Sequence, residues 1–191
     1  MVRLVAQVPT EMQGEADVDS FQAWSSDKQL KFGGAVSTKS LLAFNLNRYI
    51  SNRDAKKLRS YYVSIVPQGR GGFIPFLGYP YYLFSKNDRR LFQRGYDELS
   101  KLVLSGGGES IITSEKEAIS NLSTVHVFGT SPIGSPFYIP GTTILKTNRN
   151  IQILDSSILP SAPSVNPQGP TMALVNLMFL HNKTTQNLGN I

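Results

Sequence analysis

His126, Asp155 and Asn166 are the residues of this chain whose types suit one polar site. His126 stands in an apolar run over 124–128, directly ahead of Gly129-Thr130. Asp155 closes the apolar stretch 151–154 and is followed by Ser156-Ser157-Ile158-Leu159-Pro160, and Asn166 precedes Pro167-Gln168-Gly169-Pro170-Thr171. An imidazole titrates near neutrality and can take the proton of an alcohol, while an asparagine amide can hold the same oxygen and fix its direction. Such a pair suits oxidation of a CH–OH group. Each residue also has a structural reading. A lone histidine in an apolar strand is commonly a satisfied core residue, and Asp155 can form a turn as well as touch a cofactor. Asn166 ahead of Pro167 is a natural helix cap, because proline lacks a backbone donor and is tolerated in the first helical turn. Capping and catalysis are compatible there: a helix starting at Gln168 points free amides and its positive dipole end at whatever lies in front of it.

Other chemistries find less in the sequence. There is no cysteine, which excludes disulfides, thiolate metal sites and cysteine nucleophiles. Two widely separated histidines make no ligand cluster, and without G-x-S-x-G or a nucleophile beside His126 a serine hydrolase is disfavoured. The glycine-rich stretch Gln68-Gly69-Arg70-Gly71-Gly72 offers successive amides that could cradle a phosphate. It has neither the G-x-G-x-x-G nor the G-x-x-x-x-G-K-(S/T) spacing, so turn chemistry is the better reading.

These residues need a scaffold, and 191 residues suffice for one domain, or one and a part, with a core of its own. At 40% hydrophobic and 17% charged residues the chain is globular rather than disordered. The formal charge of +6 and pI near 9.6 imply attraction to anions, for which nucleic acid or a phosphate-bearing cofactor would both qualify. Residues 1–10 alternate apolar and polar and lack the apolar core of a signal peptide. The longest nearly apolar run, 172–180, is about half of a bilayer span and contains Asn176. A soluble chain is expected.

Along the chain, Val2, Leu4, Ala6 and Val8 alternate as in a half-buried strand. Residues 11–20 read as an acidic loop and 21–24 as a short strand. Lys31-Phe32-Gly33-Gly34 leads to a short helix through Leu41, Leu42 and Phe44, started by a serine cap at 37–40. Ser51 and Asp54 have capping-box spacing, which predicts helical turns over 52–59. The β-rich run 61–66 and Phe73-Ile74-Pro75-Phe76 read as a hairpin around the glycine loop. Ser85 and Asp88 repeat the capping-box spacing, and Leu91, Gly95, Leu99, Leu102 and Val103 then recur at helical intervals as far as Gly106-Gly107-Gly108. A short strand at 110–113, a helix at 115–120 and strands at 124–128, 144–146 and 151–154 follow. The last element is a helix over 168–180 with Met172, Val175 and Phe179 on its apolar face, ahead of a frayed polar tail. The fold class is α+β: an antiparallel sheet with flanking helices, then a C-terminal strand-helix segment from about residue 142.

In order and spacing, His126-x-x-Gly129-Thr130, Ile151-Gln152-Ile153-Leu154-Asp155-Ser156-Ser157-Ile158-Leu159-Pro160 and Asn166-Pro167 resemble the C-terminal signature of the glucose-methanol-choline flavin oxidoreductases. Phe32-Gly33-Gly34, Tyr61-Tyr62 ahead of Pro67-Gln68-Gly69, and 88–108 leading to a short strand extend the likeness over nearly the whole chain, as the second half of a family member. Val127 stands where the family usually has proline, and Ile133-Gly134 where it has methionine-glycine. The resemblance implies His126 as catalytic base, Asn166 as its substrate-orienting partner, and FAD contacts from Asp155, Ser156, Asn166, Pro167, Gln168 and Thr171. It implies residues 1–141 as a substrate-binding domain and 142–191 as a return segment completing an FAD domain. The substrate would be a small alcohol, oxidised by loss of its hydroxyl proton and of a hydride to the flavin. The dinucleotide-binding unit that opens family members is missing, since no G-x-G-x-x-G occurs here. Either the FAD-binding half comes from another chain or from sequence beyond this one, or the chain is a remnant that has lost catalysis. The alternative is a non-catalytic binding or scaffold module, with Lys56, Lys57, Arg59, Arg70, Arg89, Arg90 and Arg94 as a basic, nucleic-acid-binding face.

Overall fold

The computed structural model describes residues 1–9, 21–74, 76–123, 128–163 and 166–188. The chain forms two compact units, Met1–Ser123 and Thr124–Ile191, so residues 128–141 pack with the segment that follows them.

The first unit is α+β. Five strands, β1 (Val2–Gln7), β2 (Gln22–Trp24), β3 (Leu30–Ala35), β4 (Leu58–Ile65) and β7 (Ser110–Ile111), form an antiparallel sheet in the order β2-β3-β4-β1-β7. Two more, β5 (Arg70–Phe73) and β6 (Pro80–Leu83), form a separate two-stranded hairpin. Helices α1 (Lys39–Leu46), α2 (Asn52–Lys56), α3 (Lys86–Ser105) and α4 (Glu115–Ser120) complete the unit. Alternation along β1 sends Val2, Leu4 and Ala6 into the main core with Leu30, Phe32, Val63, Leu91, Phe92, Leu99, Val103 and Ala118, under α3 and α4. Val5 points the other way, into a smaller cluster with Leu42, Ile50 and Leu58 under α1 and α2. The strand is therefore buried on both faces rather than half-buried as its pattern suggests. What the pattern conceals is that Arg3, on the second face, ends on Asn45 of α1, with its Nη1 3.3 Å from Oδ1.

The capping box at Ser85 behaves as read. Ser85 accepts from the Asp88 amide and Asp88 accepts from the Ser85 amide, starting α3, and the helix ends at Gly106 with Gly107 at φ +99°. Leu91, Gly95, Leu99 and Val103 line its buried face, while Leu102 is exposed. Gly95 lies over β4, where a Cβ would stand 3.0 Å and 3.1 Å from the two Val63 methyl carbons. Gly95→Leu is accordingly expected to destabilise the unit by about 1–3 kcal/mol through overpacking, read as a lower urea midpoint. Val63→Ala in the same chain should recover part of the loss, whereas an unchanged midpoint for Gly95→Leu alone would contradict this packing.

Several elements differ from the sequence reading. The run 61–66 does not pair with 73–76: β4 lies between β1 and β3, and β5 pairs with β6. Pairing in sequence order lost to the central position of β4, whose Val63 is wholly buried. Residues 30–35 form a strand despite Gly33 and Gly34, because the Tyr62 ring from the facing strand lies over Gly33. Helix α1 is capped by Thr38 rather than a serine, and α2 stops at Lys56 because β4 begins at Leu58. In the second unit, 144–146 and 151–154 make isolated bridges, Tyr138 with Leu145 and Ile144 with Gln152, instead of full strands. Helix α5 (Gln168–Leu188) continues through the region expected to fray. The expected loop at 11–20 falls outside the described residues.

Candidate functional site

The second unit carries the three sequence motifs. Gly129 takes φ +72°, a left-handed turn that glycine adopts freely. The chain then runs beside the Asp155 motif, with Ser131 N–H donating to the Ser157 carbonyl at 3.2 Å and Ile133 N–H to that of Ile158 at 3.0 Å. The Tyr138 hydroxyl donates to the Ser131 carbonyl at 2.8 Å, and Tyr138, Ile144, Ile158 and Leu159 are buried. The residues just after the first motif, 131–133, are thus fixed to the body of the second by backbone bonds.

Asp155 caps a 3-10 turn, Ser156–Ile158, and its Oδ1 accepts from Ser157 N–H at 2.7 Å. Its turn-forming role is realised, with the carboxylate exposed and Ser156 half-buried. Asn166 is exposed, and its Oδ1 accepts from Gln168 N–H at 3.4 Å, a long bond. Pro167 is buried, and its carbonyl accepts from Thr171 N–H at 2.8 Å, so α5 starts where the asparagine-proline step places it. A Cβ at Gly169 would meet open space, which leaves the first turn of α5 open to an approaching group. Among the described residues no hydrogen bond joins Asp155 to the 166–171 segment. His126 lies outside the described residues, as do 124, 125 and 127 of its expected strand. A cavity of about 280 Å³ in this unit is lined by Ser135, Tyr138, Ile139, Thr142 and Lys146, among others, and by none of the motif residues Asp155, Ser156 or Asn166.

In the first unit the glycine stretch binds an anion of the protein's own. The wholly buried Asp88 accepts from Gln68 N–H at 2.8 Å and Gly69 N–H at 2.9 Å, as well as from Ser85 N–H at 2.9 Å. Burial pushes this carboxyl up, but the Gln68 and Ser85 amides, the Ser85 hydroxyl and the Gly69 amide together hold it below the ordinary carboxylate range. A side chain at Gly69 would overlap the Leu83 carbonyl, and a Cβ at Gly71 would stand 2.6 Å from that of Tyr81. The amides a phosphate would use at Gln68 and Gly69 are therefore engaged. Sequence reasoning placed Asp88 at its helix start and missed this second role; the signal available was a buried-phase aspartate following an unclaimed glycine turn.

The basic face is thinned in a similar way. Arg59 is buried and its Nη1 donates to the carbonyls of Lys56 and Leu58, at 3.2 Å and 3.0 Å. Arg94 pairs with Asp27 and Glu98, both at 2.6 Å. Its guanidinium, helped by the Ser25 hydroxyl and the Gln29 amide, holds Asp27 well below the usual carboxylate range. Among the described residues no group of three or more histidine, aspartate or glutamate side chains could hold a metal ion, and no helix is long and apolar enough to cross a membrane. No family model matches the chain, and no curated protein matches it.

Proposed function

We propose that this chain is the substrate-domain half of an FAD-dependent oxidoreductase acting on CH–OH groups, of the glucose-methanol-choline type, whose FAD-binding half lies elsewhere. The carrying observation is the ordered set His126-x-x-Gly129-Thr130, Asp155-x-Ser157-x-x-Pro160 and Asn166-Pro167, supported by the backbone bonds between 131–133 and 157–158. On this reading the sheet belongs to a substrate-binding domain over 1–141, and 142–191 is the returning part of an FAD domain.

The residues present fit one end of the cofactor. Asn166 is exposed, space is open at Gly169, and the first turn of α5 favours negative charge, which suits the polar edge of a flavin. Asp155, Ser156, Pro167, Gln168 and Thr171 would complete that contact, while a glycine turn for the pyrophosphate is absent from the sequence. When bound, a flavin supplies a two-electron acceptor for hydride. His126 takes the substrate hydroxyl proton, and the Asn166 amide donates to the same oxygen and holds the carbinol carbon in place.

The second unit also exposes apolar side chains suited to a covering partner: Ile151 at 44%, Met172 at 71% and Leu177 at 61%. Purified alone, the chain should retain no flavin absorbance and should self-associate, and Met172→Gln with Leu177→Gln should reduce that association in sedimentation. Supplied with an FAD-binding half by co-expression, it should become yellow and bleach on adding an alcohol. Stoichiometric flavin on the chain alone would overturn the half-site claim. A colourless co-purified complex would overturn the cofactor assignment.

A further inference from the structure

The hairpin of β5 and β6 leaves its most apolar residues where folding gains nothing from them. Its loop is closed by Ile74 N–H on the Tyr79 carbonyl at 2.9 Å and by Gly78 N–H on the Ile74 carbonyl at 3.1 Å. At the tip Phe76 is 108% exposed and Leu77 is 66% exposed. Phe76 also takes φ +68°, a left-handed conformation that is unfavourable for a bulky side chain. Nothing in the fold accounts for a phenylalanine that buries nothing and costs backbone strain.

Exposed apolar side chains continue down the hairpin as far as Leu83, at 67%. Behind the tip come the exposed Tyr79 and Tyr81, and at the base Arg70 pairs in register with Leu83. The first turns of α3 follow directly, with Lys86, Arg89 and Arg90 exposed. Between Gln68 and Arg90 the only acidic residue is Asp88, buried on the Gln68 and Gly69 amides. That bond fixes the base of the hairpin to the start of α3, helped by the ring contacts Tyr82–Phe84 at 4.9 Å and Phe84–Phe92 at 5.6 Å. At about 3.3 Å per residue, the ladder from Phe73 back to Arg70 spans about 10 Å. Phe76 and Leu77 lie beyond Phe73, so the tip reaches past the headgroups, where interfacial anchors bury their apolar parts about 5–10 Å deep, while the cations stay with the headgroups.

We propose that this hairpin is an interfacial anchor that docks the first unit on an anionic phospholipid surface. Phe76 and Leu77 enter the acyl boundary, Tyr79 and Tyr81 lie at the headgroup level, and Arg70, Lys86, Arg89 and Arg90 meet the lipid charge. The proposal does not depend on the catalytic reading. A protein partner is less well matched, because the charge is of one sign and the apolar part is a projecting point rather than a patch ringed by polar groups.

The test is flotation of the full chain with vesicles of phosphatidylcholine alone or with about a third phosphatidylserine, the anionic lipid supplying the charge attraction. The chain should float with the anionic vesicles, much less with the neutral ones, and less as salt is raised. Phe76→Ser with Leu77→Ser should cut binding about tenfold or more without changing the circular dichroism, since the tip supports no core. Arg89→Gln with Arg90→Gln should weaken binding to anionic vesicles by about tenfold. No flotation with anionic vesicles would overturn the proposal. So would flotation indifferent to the tip variant, which would assign the binding to another surface, or self-association abolished by that variant, which would make the tip a contact between copies.

Discussion

Replacing Asp88 with alanine is expected to cost about 3 kcal/mol of stability, more than a surface charge ever contributes. Its carboxylate accepts from three backbone amides on two segments, Gln68 and Gly69 at the turn and Ser85 at the helix start. Hydrogen bonds to a charged group are each worth about 1.5–3 kcal/mol, discounted here because the donors are only partly buried and water reaches them once the carboxylate is gone. Asp88→Asn should recover little, since its amide nitrogen presents a donor where one of the three N–H groups needs an acceptor. The sign with pH follows from the direction of the shift. The folded-state pKa lies below the unfolded value, so the contribution is complete above the ordinary carboxylate range and fades as pH falls through the folded pKa. Urea midpoints of wild type and Asp88→Asn should therefore converge in acid and diverge toward neutrality. A constant gap across that range would show that the carboxylate is not what holds the turn.

Local signals were legible in the sequence wherever one residue type answers a local need. Ser51 and Ser85 each accept from the amide three residues on, and Gly106 to Gly108 end α3 where the apolar period stops. What was not legible depends on partners distant in the chain. Nothing in Tyr61-Tyr62-Val63 states that β1 and β3 flank it, and Gly33 looks like a breaker until the facing Tyr62 ring is known to lie over it. The same holds for the site. Residues 126–130 and 155–160 were singled out by spacing, but the bonds just after the first of them, from Ser131 to Ser157 and from Ile133 to Ile158, are tertiary. Asp155 and Asn166 had two readings each, and the structure realises the turn bond of Asp155 and the helix-start bond of Asn166. Neither bond uses the whole side chain, so the second reading survives for both.

In a complex that carries the FAD-binding half, His126→Ala is expected to lower turnover by about a hundredfold to ten-thousandfold, the usual range for loss of a general base. On that reading the base must be neutral to accept the hydroxyl proton, so kcat/KM in the parent should fall in acid and the variant should lose that limb. If Asn166 orients the substrate as proposed, Asn166→Ala should act more weakly on turnover. Its stability cost should stay below about 1 kcal/mol, because the bond it gives Gln168 is long, at 3.4 Å, and exposed to water. A purely structural role for the pair makes the opposite forecast. His126→Ala would then lower the melting temperature as a core truncation does, Asn166→Ala would lower it slightly, and activity per folded molecule would be unchanged in both. Measuring turnover and melting temperature on the same preparations separates the two, since losing a general base lowers turnover without a matching fall in melting temperature, whereas losing a core residue lowers the melting temperature and leaves activity per folded molecule unchanged.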